Sequence, residues 1–193
     1  EGLVDAIWFN HTELTVDANS AYTLDMLPLL RQIDEFGLHY IEQPLHWDDM
    51  LDHATLATKL RTELCLDESL TSPARVRMAL DLKACTVVNV KVGRVGGLQA
   101  VREIHDLCVA RQAPMWCGGM LETGVGRAAN VALAGLPGFT LPGDTSGSDR
   151  FFTRDVTEPR VRSRRHRWAR RSAAPRGRRS GRRRASPAPC TCR

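Results

Sequence analysis

Short apolar runs end on a charged residue at nearly constant spacing in this chain. Asp17, Glu42, Asp67 and Lys91 follow one another at intervals of 25, 25 and 24 residues. Each closes a run rich in Val, Ile, Leu, Tyr or Trp: Leu14–Asp17, His39–Glu42, Leu64–Asp67 and Val87–Lys91. Two further runs follow, Pro114–Cys117 and Phe139–Leu141. Such runs suit strands buried on both faces, as in a parallel sheet. Between them lie stretches with helical spacing, over 22–36, 98–109 and 126–136. Asp48 is expected to cap the helix after Pro44, Ser72 with Pro73 fits a helix start, and Gly37 fits a helix exit. About six β/α units in series define an α/β class, an incomplete (β/α) TIM-type barrel. A whole eight-stranded barrel needs about 250 residues, so the first strands are expected to be absent. A solenoid remains the alternative, although no repeat consensus supports it.

One charged group per unit, always at the carboxyl end of a strand, puts all four on the rim where barrel enzymes keep their chemistry. A lone Asp after a strand often serves as a helix cap. Three acids in register, with a lysine in the same register, are harder to obtain that way. Three carboxylates near one point repel one another and call for a counterion. The ligand set of Asp17, Glu42 and Asp67 is all hard oxygen, which selects Mg²⁺, with Mn²⁺ as a substitute, over zinc. Three open octahedral positions would make the ion catalytic. Lys91 lies in an apolar run of a chain whose only other lysines are Lys59 and Lys83. It reads as an inward amine fit for acid/base work. Lys59 and Lys83 are expected in helical segments.

Composition divides the chain. Of its 27 Lys/Arg and 22 Asp/Glu, the segment 160–193 takes 14 Arg and no acid. This Arg-rich tail (159–193) is expected to be disordered, since it has almost nothing to bury. Its Arg, Ala, Pro and Gly have GC-rich codons, which points to translation in a shifted frame. A nucleic-acid-binding arm is the competing reading, and any such binding would be non-specific. No apolar run approaches a membrane span, and no leader pattern opens the chain. Cys65, Cys85, Cys108 and Cys117 sit in apolar segments as buried thiols, which fits a cytoplasmic protein.

The motifs resemble the enolase superfamily in its muconate-lactonizing-enzyme-like branch, and within it the o-succinylbenzoate synthase and N-acylamino acid racemase group. The resemblance rests on Val16-Asp17-Ala18-Asn19-Ser20-Ala21-Tyr22, Tyr40-Ile41-Glu42-Gln43-Pro44-Leu45 and Leu64-Cys65-Leu66-Asp67-Glu68-Ser69. It continues through Asn89-Val90-Lys91-Val92-Gly93-Arg94-Val95-Gly96-Gly97, Trp116-Cys117-Gly118-Gly119-Met120-Leu121-Glu122-Thr123-Gly124 and Leu141-Pro142-Gly143-Asp144-Thr145-Ser146. It covers the expected barrel segment, 13–158, with 1–12 as a remnant of a preceding helix. It implies a homo-oligomeric parent enzyme that binds a small carboxylate on Mg²⁺ and removes the proton alpha to it. Asp17, Glu42 and Asp67 would ligate the metal, and Lys91 would be the catalytic amine. Asn19, Gly118, Gly119, Met120 and Glu122 would line the substrate pocket, unless the glycines belong to an ordinary loop. The implied product is o-succinylbenzoate, for menaquinone biosynthesis. Racemisation of N-acylamino acids would accompany it, and a dipeptide epimerase or cycloisomerase is the alternative. The mandelate-racemase branch uses a histidine at the end of the seventh strand, and none lies between Cys117 and Gly124. Two family features are not found: an N-terminal capping domain and a Lys-x-Lys pair on the second barrel strand. The chain by itself is therefore expected to show little or no activity.

Overall fold

The computed structural model describes residues 13–159 and 161. The N-terminal remnant and nearly all of the Arg-rich tail lie outside the described residues, as do Cys190 and Cys192. Five strands form one parallel sheet in chain order: β1 (Thr15–Asp17), β2 (Tyr40–Glu42), β3 (Glu63–Leu66), β4 (Val87–Val90) and β5 (Met115–Cys117). Helices join them: α1 (Leu27–Asp34), α2 (Met50–Ala57), α3 (Pro73–Asp81), α4 (Val92–Val95) with α5 (Leu98–Arg111), and α6 (Gly124–Ala134) after β5. Strand, helix and next parallel strand, repeated in order, curl the sheet into part of a (β/α) barrel.

The sixth expected strand shrinks to one parallel bridge, Met115 with Phe139. Pro137 and Pro142 bracket that run and carry no N–H for a ladder. The first helix is shorter than its apolar spacing suggested, because the chain makes a 3-10 turn at Leu24–Met26 before α1 begins. Asp49, rather than Asp48, caps α2 by accepting from the Asp52 N–H at 2.9 Å. Ser72 caps α3 as expected, accepting from the Arg75 N–H at 3.2 Å. Gly37 adopts φ +65° just beyond α1, a left-handed turn that glycine takes without strain. Lys59 and Lys83 fall past the ends of α2 and α3 rather than inside helices, at the entrances to β3 and β4.

Strand residues alternate between two faces. Ile41, Leu64, Leu66, Val88, Val90 and Met115 pack outward against the helices with Leu30, Leu56, Val76, Val101 and Ile104. Tyr40, Cys65, Val87 and Trp116 form a separate cluster, with Leu141 against it. The same period puts Glu42, Asp67, Asn89, Lys91 and Gly118 above that cluster, toward the carboxyl ends. The Trp116 indole N–H donates to Cys65 Sγ at 3.4 Å and its ring stacks on Tyr40 at 6.4 Å. Cys65, Cys85, Cys108 and Cys117 are all free and buried, and burial pushes their thiols above the ordinary range. No described helix is long and apolar enough to cross a membrane.

Candidate active site

The strand ladder aligns the acids. Asp17 and Glu42 are direct partners across β1 and β2. β3 continues the register, with Glu42 opposite Cys65 and Asp67 two residues beyond. None of the three acids caps the following helix. That task falls to Asp49 and Ser72 after β2 and β3, while Asp17 Oδ1 accepts the local N–H of Asn19, at 2.9 Å. Asn19 itself is exposed, with φ +45°.

Glu42 and Asp67 are buried, at 6% and 1% exposure. Asn89 Nδ2 donates to Glu42 Oε1 at 2.7 Å. Burial, aided by the charges of Asp17 and Asp67, pushes the Glu42 carboxyl up to about 7, against the opposing pull of Asn89 and Lys91. The three acids thus share one field although they sit on separate strands. Lys91 Nζ pairs with Asp67 Oδ2 at 2.6 Å, and the Arg94 guanidinium pairs with Asp67 Oδ1. Asn89 Oδ1 is buried with no hydrogen-bond partner among the described residues.

Asp67 therefore spends both oxygens on cations. Among the described residues, no group of three or more His, Cys, Asp or Glu side chains is spaced to hold a metal ion as the side chains stand. The donor set nevertheless suits Mg²⁺ in kind: three hard oxygens on adjacent strand ends, with Asp17 and Asp67 near enough to raise the proton affinity of Glu42. Asp67 would meet the ion with both oxygens already paired to Lys91 and Arg94.

Gly118 closes the site opposite Lys91. A Cβ there would lie 2.7 Å from Lys91 Cε and would overlap Asn89 Oδ1. Gly119 is equally tight against the Asp144 carbonyl and Arg127. Met120 is exposed. The Glu122 carboxylate turns back into its own loop, accepting the Met120 N–H at 2.8 Å, Asn130 Nδ2 at 3.2 Å and Arg127 at 3.0 Å. Its observed contacts are those of a loop clasp.

Arg127, absent from the residue pattern that marked the strand ends, is 1% exposed. It also donates to the carbonyls of Met120 and Asp144. Arg127 thus ties the Gly118–Glu122 turn to the Asp144 loop. Asn89 and Gln43 were likewise not singled out. Asn89 stands two residues before Lys91, so strand alternation alone marks it as a neighbour. No comparable signal marks Arg127.

These elements define a (β/α)-barrel site with an acid-lined rim and one lysine. Residues 4–174 match the enolase C-terminal domain-like family, and the chain belongs to that family. It is 58% identical over 150 residues to an N-succinylamino acid racemase from Amycolatopsis, covering 78% of this chain and 41% of that protein. It is 55% identical over 153 residues to an o-succinylbenzoate synthase from Geobacillus stearothermophilus, covering 79% and 41%. A crystal structure of an enolase-superfamily member from Listeria innocua superposes with TM-score 0.76 at 42% identity, covering 82% of this chain and 43% of that one. The chain thus spans about two fifths of the length of the relatives it matches.

Proposed function

We propose that this chain carries the acid rim and the lysine of an enzyme that removes the proton alpha to a carboxylate, with dehydration to o-succinylbenzoate as the reaction. The observation that carries the reading is the common rim. Asp17 and Glu42 are partnered across adjacent strands, and Lys91 reaches back from β4 to Asp67 at 2.6 Å. The synthase at 55% identity supports the choice of reaction.

Asp17, Glu42 and Asp67 would hold Mg²⁺, which when bound supplies a Lewis acid for the substrate carboxylate. The chain's own groups do the rest. Asn89 fixes Glu42 by its amide. Lys91, 15% exposed along its side chain, takes the substrate's alpha proton at Nζ as the neutral amine, its own proton having passed to solvent, and returns a proton as the ammonium. Gly118 leaves the space through which the Lys91 stem runs. Tyr40, Cys65, Val87 and Trp116 close the floor and keep the rim dry from below.

The relative at 58% identity favours a second activity, racemisation of N-succinylamino acids. Among the described residues, Lys91 is the only lysine at a carboxyl strand end. One amine serves one face of the substrate, so at most slow proton exchange on a single enantiomer is expected, with little or no turnover of the succinylbenzoate precursor. The test uses the 193-residue chain with Mg²⁺ in D₂O. Alpha-proton exchange of an N-succinylamino acid is followed by NMR for the native chain and for Lys91→Ala. A loss of about 10²-fold or more in the variant is expected. Equal, measurable rates in the two proteins would end the reading.

A further inference from the structure

We infer that Gln43 is the positioning residue that holds the three acid-bearing strand ends in register, an inference that rests on the metal-site reading above. Gln43 follows Glu42 and is fully buried, at 0% exposure. Its φ of +37° is left-handed, a conformation that a non-glycine residue keeps only where its surroundings hold it.

Its surroundings hold it through both backbone and side chain. The backbone N–H donates to the Cys65 carbonyl at 2.8 Å, toward β3. The carbonyl accepts from the Ser20 N–H at 2.8 Å, toward the turn that follows Asp17. The side-chain Oε1 accepts from the Asp67 N–H at 3.0 Å and the Ser69 N–H at 3.2 Å. Nε2 donates to Ser69 Oγ at 2.8 Å and to the Leu45 carbonyl at 3.1 Å.

A glutamine amide offers two donors and two acceptor sites, and all four are used here. One residue therefore ties the Asp17 turn, the Glu42 strand end and the Asp67–Ser69 turn together. The far side is braced too. Leu45 N–H donates to His53 Nε2 at 3.2 Å, and His53 Nδ1 donates to the Asp49 carbonyl at 2.6 Å. Gln43 bears none of the candidate ligand oxygens. It acts by fixing the backbone from which Asp17 and Asp67 project, as outer-shell partners of metal ligands do.

The test compares the full native chain with Gln43→Met, which keeps the side-chain length and removes every polar contact of the side chain while leaving the two backbone bonds. Asp34→Asn, far from the rim, serves as a stability control. Mn²⁺ affinity is read by electron paramagnetic resonance, and amide hydrogen exchange by NMR on the ¹⁵N-labelled chain. Gln43→Met is expected to weaken Mn²⁺ binding about 10–100-fold. It is also expected to speed exchange at Asp67 and Ser69 while leaving the mid-strand amides of Leu64 and Val88 unchanged. Asp34→Asn should lower Tm and move neither readout.

Unchanged Mn²⁺ affinity in Gln43→Met would overturn the inference. If the native chain binds no Mn²⁺, the metal reading fails on its own account, and the exchange arm decides. Faster exchange confined to Asp67 and Ser69 then upholds the positioning, and unchanged exchange overturns it. Should Gln43→Met not fold, Ser69→Ala removes a single one of the four side-chain bonds, and it must weaken Mn²⁺ binding in the same direction.

Discussion

Gly118 has no room for even a methyl group, because Lys91 Cγ and Cε lie 2.8 and 2.7 Å from where its Cβ would be. Gly118→Ala is expected to push the Lys91 amine off its position. The cost should be about 10²-fold in alpha-proton exchange and about 1–3 kcal/mol in stability from overpacking. Exchange by NMR and thermal unfolding measure the two separately, and native-like exchange would contradict the close approach. His53 offers a pH test. Burial holds its imidazole below the ordinary range, against the raising effect of Asp49. Its folded value therefore lies below the unfolded value of about 6.5. As pH falls through 6.5 (about the unfolded value), the unfolded chain takes the proton first, so stability is full above that pH and declines toward the folded value. His53→Gln should flatten the dependence of Tm on pH between about 5 and 7. An unaltered slope in the variant would assign the effect to another group. At this scale the sequence was legible where chemistry repeats. Glu42, Asp67 and Lys91 could be found from their spacing because a period of about 25 residues is a property of the chain itself. Gln43 and Arg127 could not, since their partners stand at Ser69, Leu45, Met120 and Asp144, and only folding brings those groups together.

Elements were legible where short-range rules suffice. Ser72 and Pro73 marked the start of α3, and the structure uses the Ser72 hydroxyl as the cap. Ser72→Ala should cost about 1 kcal/mol, measured by denaturant midpoint; no change would mean that the capping bond is replaced by water. Asp48 and Asp49 are adjacent acids, and composition cannot say which one meets the free Asp52 N–H in the first turn of α2. Helix phase decides, and it selects Asp49. The run at Phe139–Leu141 has strand composition yet pairs at a single bridge, because its flanking prolines withdraw donors. Arg127 shows what no local rule reports. It is a buried cation on α6 whose partners are the Met120 and Asp144 carbonyls and Glu122. Arg127→Met should leave Glu122 without its cation and loosen the Gly118–Glu122 turn. A loss of about 1–3 kcal/mol is expected for removing charge-assisted hydrogen bonds to a partly exposed carboxylate and two carbonyls. Amide exchange at Met120 should rise with it, and an undisturbed Met120 amide would remove the clasp role.

For the whole molecule, the face-by-face division of the sheet follows from strand alternation, and the family assignment confirms the barrel class read from the repeat. The order of packing was less legible than the order of elements, because closure depends on partners that a short run does not encode. Among the described residues β1 pairs with β2 alone. The strand order has a separate consequence. Each strand lies beside the one made just before it, so every sheet contact joins segments about one repeat apart. Contacts of short sequence separation close quickly, and synthesis delivers residues at about 5–20 per second. Each β/α unit can therefore dock onto its predecessor while the next is still being translated, so the sheet can grow in the direction of the ribosome's own travel.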